Sequence, residues 1–161
     1  MALSEIRLLG DPILYERCAP VKVEEVKGLM DTVDQMARLV LEFRGKYGAG
    51  RAIAAPQVGV LKRLVVLNID QPVAIFNPEL FAHSEETMEL WDDCMSFPNL
   101  LVRLRRHQSV KLRFRDENWA EQVWTLEGDL SELLQHEVDH LDGILATTRA
   151  IDGASFQWRV T

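Results

Sequence analysis

The chain has no apolar run approaching the roughly 18 residues that a membrane-spanning helix needs. Its first residues, MALSEIRLLGD, lack a basic start leading into an apolar segment, so no secretory signal is expected. Cysteine is scarce: Cys18 and Cys94 are the only two, far apart, and in a reducing compartment a disulfide is the less favoured use for them. Positive charge is also in short supply. Eighteen Lys and Arg face 25 Asp and Glu, a formal net charge of −7, which argues against nucleic acid as the main ligand. Repeats, low-complexity tracts and Pro/Gly/Ser linkers are missing as well. These absences predict a cytoplasmic protein with one domain over residues 1–161.

What is present is a pattern of helices at the two ends with short strands between. From about Val23 to Phe43, Val26, Leu29, Met30, Val33, Met36, Ala37, Val40 and Leu41 recur at helical spacing. The glycine-bearing stretch GKYGAGRAIAAPQVG ends that helix. Strand-like runs follow at 63–69, 73–78, 109–115 and 122–128. In 109–115, Val110, Leu112 and Phe114 alternate with Lys111, Arg113 and Arg115. A last helix is predicted from about Leu130 to Leu141, with Asp129 as N-cap, Glu132 as its capping-box partner and Gly143 as the stop. This order indicates an α+β fold.

The last helix carries the sequence HEVDH. On a helical wheel Leu130, Leu134 and Leu141 form an apolar stripe, and Glu137 falls beside it. A carboxylate buried without a partner costs several kcal/mol, so something must compensate it. His136 and His140, at i and i+4, can share one metal ion, with Glu137 placed to move a proton of activated water. The plainer alternative is a pair of surface histidines and a solvated glutamate. A third ligand would favour the metal. Cys94, in the loop-like WDDCMSFPN, is a candidate, although a lone cysteine is more often simply buried.

Three segments, GRAIAAPQVG, DDCMS and QHEVDHLDG, resemble in order and spacing the GxGxAAPQ, EGCxS and HExDH motifs of peptide deformylases. The resemblance extends from LGDP at 9–12 through FNPEL at 76–80 to about Leu145. It implies short antiparallel sheets packed around a central C-terminal helix, with an N-terminal helix beside them. Cys94, His136 and His140 would hold one divalent metal ion. Ferrous iron is the expected native ion, with zinc, nickel or cobalt as replacements. Glu137 would be the general base and acid. The Gln57 side chain and the Met95 backbone N–H would stabilise the oxyanion. Arg51, Ala52, Ile53 and Asp93 would border the substrate, an N-formylated peptide or small N-formyl amine. The protein would act as a monomer, with a transient ribosome contact as the one further partner.

The chain departs from the motifs at specific positions. Ala52 replaces a glycine, and Arg51 stands where an apolar residue is usual. Asp92 replaces the motif glutamate, Asp93 its glycine, and Leu101 an arginine seven positions after the cysteine. An alanine makes positive φ costly at position 52. Asp93 puts a carboxylate beside Cys94, and together Ala52 and Asp93 are expected to narrow or recharge the cleft. Asp139 is the candidate to orient the histidines. The basic run 102–115 reads as the solvated face of a strand, and His83 and His107 as surface residues.

Overall fold

The computed structural model describes residues 1–160. Its architecture is α+β, with two α-helices and eight strands, α1 at Val26–Tyr47 and α2 at Asp129–Leu141. In chain order the strands are β1 Ala52–Ala54, β2 Leu64–Asn68, β3 Pro72–Phe81, β4 Thr87–Asp92, β5 Leu100–His107, β6 Ser109–Arg115, β7 Glu121–Glu127 and β8 Phe156–Trp158. One antiparallel sheet has the order β1-β2-β3-β6-β7, and a second has β4-β5-β8. No helix is long and apolar enough to cross a membrane among the described residues.

Strand β2 shows why the layers form. All five of its residues are buried, without the alternation of a half-exposed strand. Leu64 and Val66 enter a core built with Val33, Met36, Val40 and Phe43 of α1. Val65 and Leu67 point the opposite way, into a core shared with Leu133, Leu134 and Leu141 of α2. The same alternation sorts β1: Ile53 joins the α1 side, whereas Ala52 and Ala54 join the α2 side. Helix α2 thus lies between the sheets, packed on β1, β2, β3 and β7 and touching β5 on its other flank. Residues Ser131 to Val138, with His140 and Leu141, are all buried.

The expected helices and the four expected strands are present, with ends moved by a few residues. β1, β4 and β8 were not expected. The basic run 102–115 resolves into two strands in different sheets, β5 and β6, with the chain crossing at Gln108. Three local expectations fail. Leu130 is 38% exposed rather than part of a buried apolar stripe. The residue preceding α2 is Gly128, with no side-chain cap, and Glu132 makes an ion pair with Arg51 instead of capping. Arg106, read as part of a solvated face, is buried. Gly143 does terminate the helix region: its φ is +73°, and a Cβ there would sit 2.5 Å from the Tyr15 carbonyl oxygen.

Candidate metal and catalytic site

The site forms where α2 passes the end of β4. Four residues separate His136 from His140, which puts both imidazoles on one helix face. Cys94 comes from the loop that follows β4, and Gln57 from a 3₁₀ turn at Ala55–Val58 just after β1. The ligand atoms of Cys94, His136 and His140 lie within 4.8 Å of one another, and all three residues are buried. His140 Nε2 is 3.2 Å from His136 Nε2 and 3.4 Å from Cys94 Sγ.

The surroundings fix the chemistry of these atoms. His136 Nδ1 stands 2.7 Å from Asp92 Oδ2, a contact that favours a proton on Nδ1 and turns Nε2 toward the centre. Two ring nitrogens and a sulfur therefore converge on one point. Beside them Glu137 is buried, with Oε1 3.9 Å from His136 Nε2 and Oε2 without a hydrogen-bond partner. Such a donor set is poorly satisfied by itself and fits a borderline-soft divalent cation.

Burial raises the Glu137 pKa to about 7, partly offset by His136. Burial opposes charge on His136 too, but the Asp92 carboxylate and the Cys94 sulfur outweigh it and hold its pKa well above the usual histidine range. His140 moves the opposite way, through burial and then the neighbouring His136 charge. Burial works against ionised Asp92, yet His136 and Arg106 keep its pKa low.

Gln57 is held in one orientation. Its Oε1 accepts from the Ala54 backbone N–H at 3.0 Å, so its amide nitrogen must face the site. That nitrogen donates to Ser96 Oγ at 3.0 Å and lies 3.5 Å from Cys94 Sγ. The Met95 side chain packs into the α1 core, and its N–H takes no part in the backbone hydrogen-bond network among the described residues.

A cleft of about 340 Å³ opens beside these groups. Arg51, Ala52, Gln57, Asp93, Cys94, Met95, His136 and Glu137 all border it. Ile53 does not: its side chain is fully buried in the α1 core, so only its backbone could face a ligand. β1 is the outermost strand of its sheet, and one row of its peptide groups has no neighbouring strand. Ala52 carries no backbone strain, since the non-glycine residues with positive φ are Asn77, Ala82 and Trp119. Asp93 is paired with Arg159 at 2.6 Å, which offsets its charge at the cleft rim.

Asp139 does not orient the histidines. Its carboxylate is taken by Arg106 at 2.6 Å and by Arg149 at 2.8 Å. The orienting carboxylate is Asp92, which also has Arg106 Nη2 at 3.5 Å, an ion-pair distance rather than a hydrogen bond. Asp92 and Arg106 were missed as a pair because they meet only across β4 and β5. Asp92 alone carries a signal in the sequence, two residues before Cys94 and in the position of a motif carboxylate. His83 is exposed and His107 half-buried; neither joins the site.

The sequence model of the polypeptide deformylase family matches residues 3–155. The chain belongs to that family. It is 36% identical over 149 residues to a peptide deformylase of Thermotoga neapolitana, covering 91% of this chain and 87% of that one. It is 38% identical over 148 residues to peptide deformylase 2 of Clostridium acetobutylicum, covering 91% and 95%. The crystal structure of the Thermotoga maritima peptide deformylase superposes with a TM-score of 0.82 at 34% identity, over 91% of this chain and 97% of the other. A peptide deformylase from Synechococcus elongatus, solved in complex with actinonin, gives 0.79 at 28% identity, over 93% and 80%. The deformylase fold and hydrolase class are thereby shown.

Proposed function

We propose that this deformylase hydrolyses the N-formyl amide at the start of a polypeptide, with formyl-methionine as the reference first residue, giving formate and a free amine. The observation that carries the reading is the buried Glu137 carboxylate, with one oxygen unpartnered, beside a converging Cys-His-His set in an open cleft. Cys94, His136 and His140 would hold a divalent cation, ferrous iron being the first choice and zinc, nickel or cobalt substitutes. Such an ion supplies water acidified to a pKa near 7.

The remaining steps belong to the chain's own residues. Glu137, whose pKa burial lifts to about 7, can take a proton from water at neutral pH and return it to the departing amine nitrogen. The Gln57 amide N–H and the Met95 backbone N–H would donate to the formyl oxygen as it gains charge. The open edge of β1 can hydrogen-bond an extended peptide as an added strand. Asp92 positions His136 without touching the substrate. In this reading residues 1–161 act as one deformylase domain, working in the cytoplasm as a monomer with at most a transient ribosome contact.

The test is formate release from formyl-Met-Ala-Ser after anaerobic loading with ferrous iron, because iron beside a thiolate is vulnerable to oxygen. Release that disappears in Glu137→Ala supports the reading. Absence of release from fully metallated protein on any formylated peptide removes it. A second reading, the same chemistry on a different N-formyl amine, is favoured by the charged residues Arg51 and Asp93 on the cleft.

A further inference from the structure

The cleft wall next to the Cys-His-His set is charged. Glu132 lies one helical turn before His136, so it shares the face of α2 that looks toward the site. Arg51 sits just ahead of β1, the strand packed against α2, and its Nη2 meets Glu132 Oε1 at 2.6 Å. Glu132 is buried, its side chain only 11% exposed, whereas the Arg51 side chain is 37% exposed. Arg51 Nη1 reaches only the Asp129 carbonyl, at 3.5 Å. The pair therefore joins strand and helix along one wall of the cleft, buried at one end and open at the other. Its open end retains unused donors.

Apart from Glu137 at the reacting centre, the other charges nearby are committed elsewhere. Arg44 donates to the carbonyls of Gly50 and Asn68. Asp92 serves His136, and Asp93 is held by Arg159. The Arg51–Glu132 pair is thus the polar feature left to meet a ligand on that wall. Resting on the deformylase reading, we infer that it is the specificity element for the first residue of the substrate: it selects a formylated residue with a neutral hydrogen-bonding side chain, such as an amide or hydroxyl, over an apolar one.

The physical reason is desolvation. An apolar side chain laid against the pair strips water from the free guanidinium donors and the carboxylate and returns nothing. An amide or hydroxyl replaces that water with hydrogen bonds. A site with polar groups set to bind a substrate OH or NH rejects the analogue lacking it more strongly than an apolar pocket rejects a missing methylene. Removing both members together leaves no unpaired buried charge.

The experiment uses the full chain, metal-loaded, and the peptides formyl-X-Ala-Ser with X as Gln, Ser, Met and Leu. The wild-type protein is expected to give kcat/KM at least about tenfold higher for Gln than for Met. In Arg51→Ile/Glu132→Leu the preference should reverse, with Met rising and Gln falling. Circular dichroism and the melting transition check that the double variant folds. The double variant Arg51→Gln/Glu132→Gln keeps a polar wall with no unpaired buried charge and should retain the Gln preference. Binding of the same peptides to the Glu137→Gln protein, measured by calorimetry, reads the same preference without turnover. Wild-type protein that favours Met in both rate and binding overturns the inference while leaving the deformylase reading intact. No formate from any peptide with either protein overturns both.

Discussion

His136 Nδ1 and Asp92 Oδ2 stand 2.7 Å apart, and both side chains are almost wholly shielded from water. This contact sets which ring nitrogen of His136 is free to bind. It also ties α2, in the middle of the molecule, to the end of β4 in the smaller sheet. Asp92→Asn keeps the shape but removes the charge that favours the Nδ1–H tautomer. Metal affinity should weaken by about 10–100-fold, as expected for loss of an orienting partner. Competition with a calibrated chelator checks it; unchanged affinity would remove the orienting role of Asp92.

Glu137→Gln should lower kcat for formate release by about 10²–10⁴-fold, the usual contribution of a positioned acid or base. Metal content, measured by elemental analysis, should stay at the wild-type level, because Glu137 is assigned proton transfer and not ligation. Loss of metal in this variant would reassign it.

Removing the metal should destabilise the fold. A ligand that binds only the native state adds about 2.7 kcal/mol at a hundredfold excess over its Kd. Chelation should therefore lower the melting temperature of the wild-type protein. Cys94→Ser, with one anionic ligand gone, should respond far less to chelator. Equal responses in the two proteins would place the ion elsewhere.

Gly143→Ala should cost about 1–3 kcal/mol from the left-handed backbone alone. The added methyl would also press on the Tyr15 backbone at 2.5 Å, where no flexible side chain can give way. Urea unfolding measures the loss. A change below about 0.5 kcal/mol, the range of neutral surface substitutions, would mean that the Tyr15 segment shifts freely.

Burial pushes the Cys18 thiol up to about 11. At pH 8 only about one such thiol in a thousand is ionised, and the thiolate is the reactive form. Cys18 should resist an aromatic disulfide reagent in the folded Cys94→Ser protein and react at once after denaturation. Linkage has a definite sign here. From about pH 9 to 11 the unfolded chain has released a proton that the folded chain retains, so stability is full below that window and falls through it. The slope is at most about 1.4 kcal/mol per pH unit. Rapid labelling at pH 8 without denaturant would contradict this.

The sequence by itself determined the elements with strong periodicity and the residues tied to fixed local spacing. The α1 stripe, the alternation of β6 and the i, i+4 histidines follow from helix and strand periods alone, and three ordered motifs carried Cys94 and Gln57 to the same site. Tertiary structure decided what depends on which face each layer covers. Ile53 and Ala52 are neighbours in sequence, yet the strand pleat sends one into the α1 core and the other toward α2. Arg106 reads as a surface cation, but β5 turns it inward between Asp92 and Asp139. Glu132 reads as a helix cap until Arg51, 81 positions earlier, pairs with it on the cleft wall. Charge partners of this kind are set by chain crossings between sheets, and no local period encodes them.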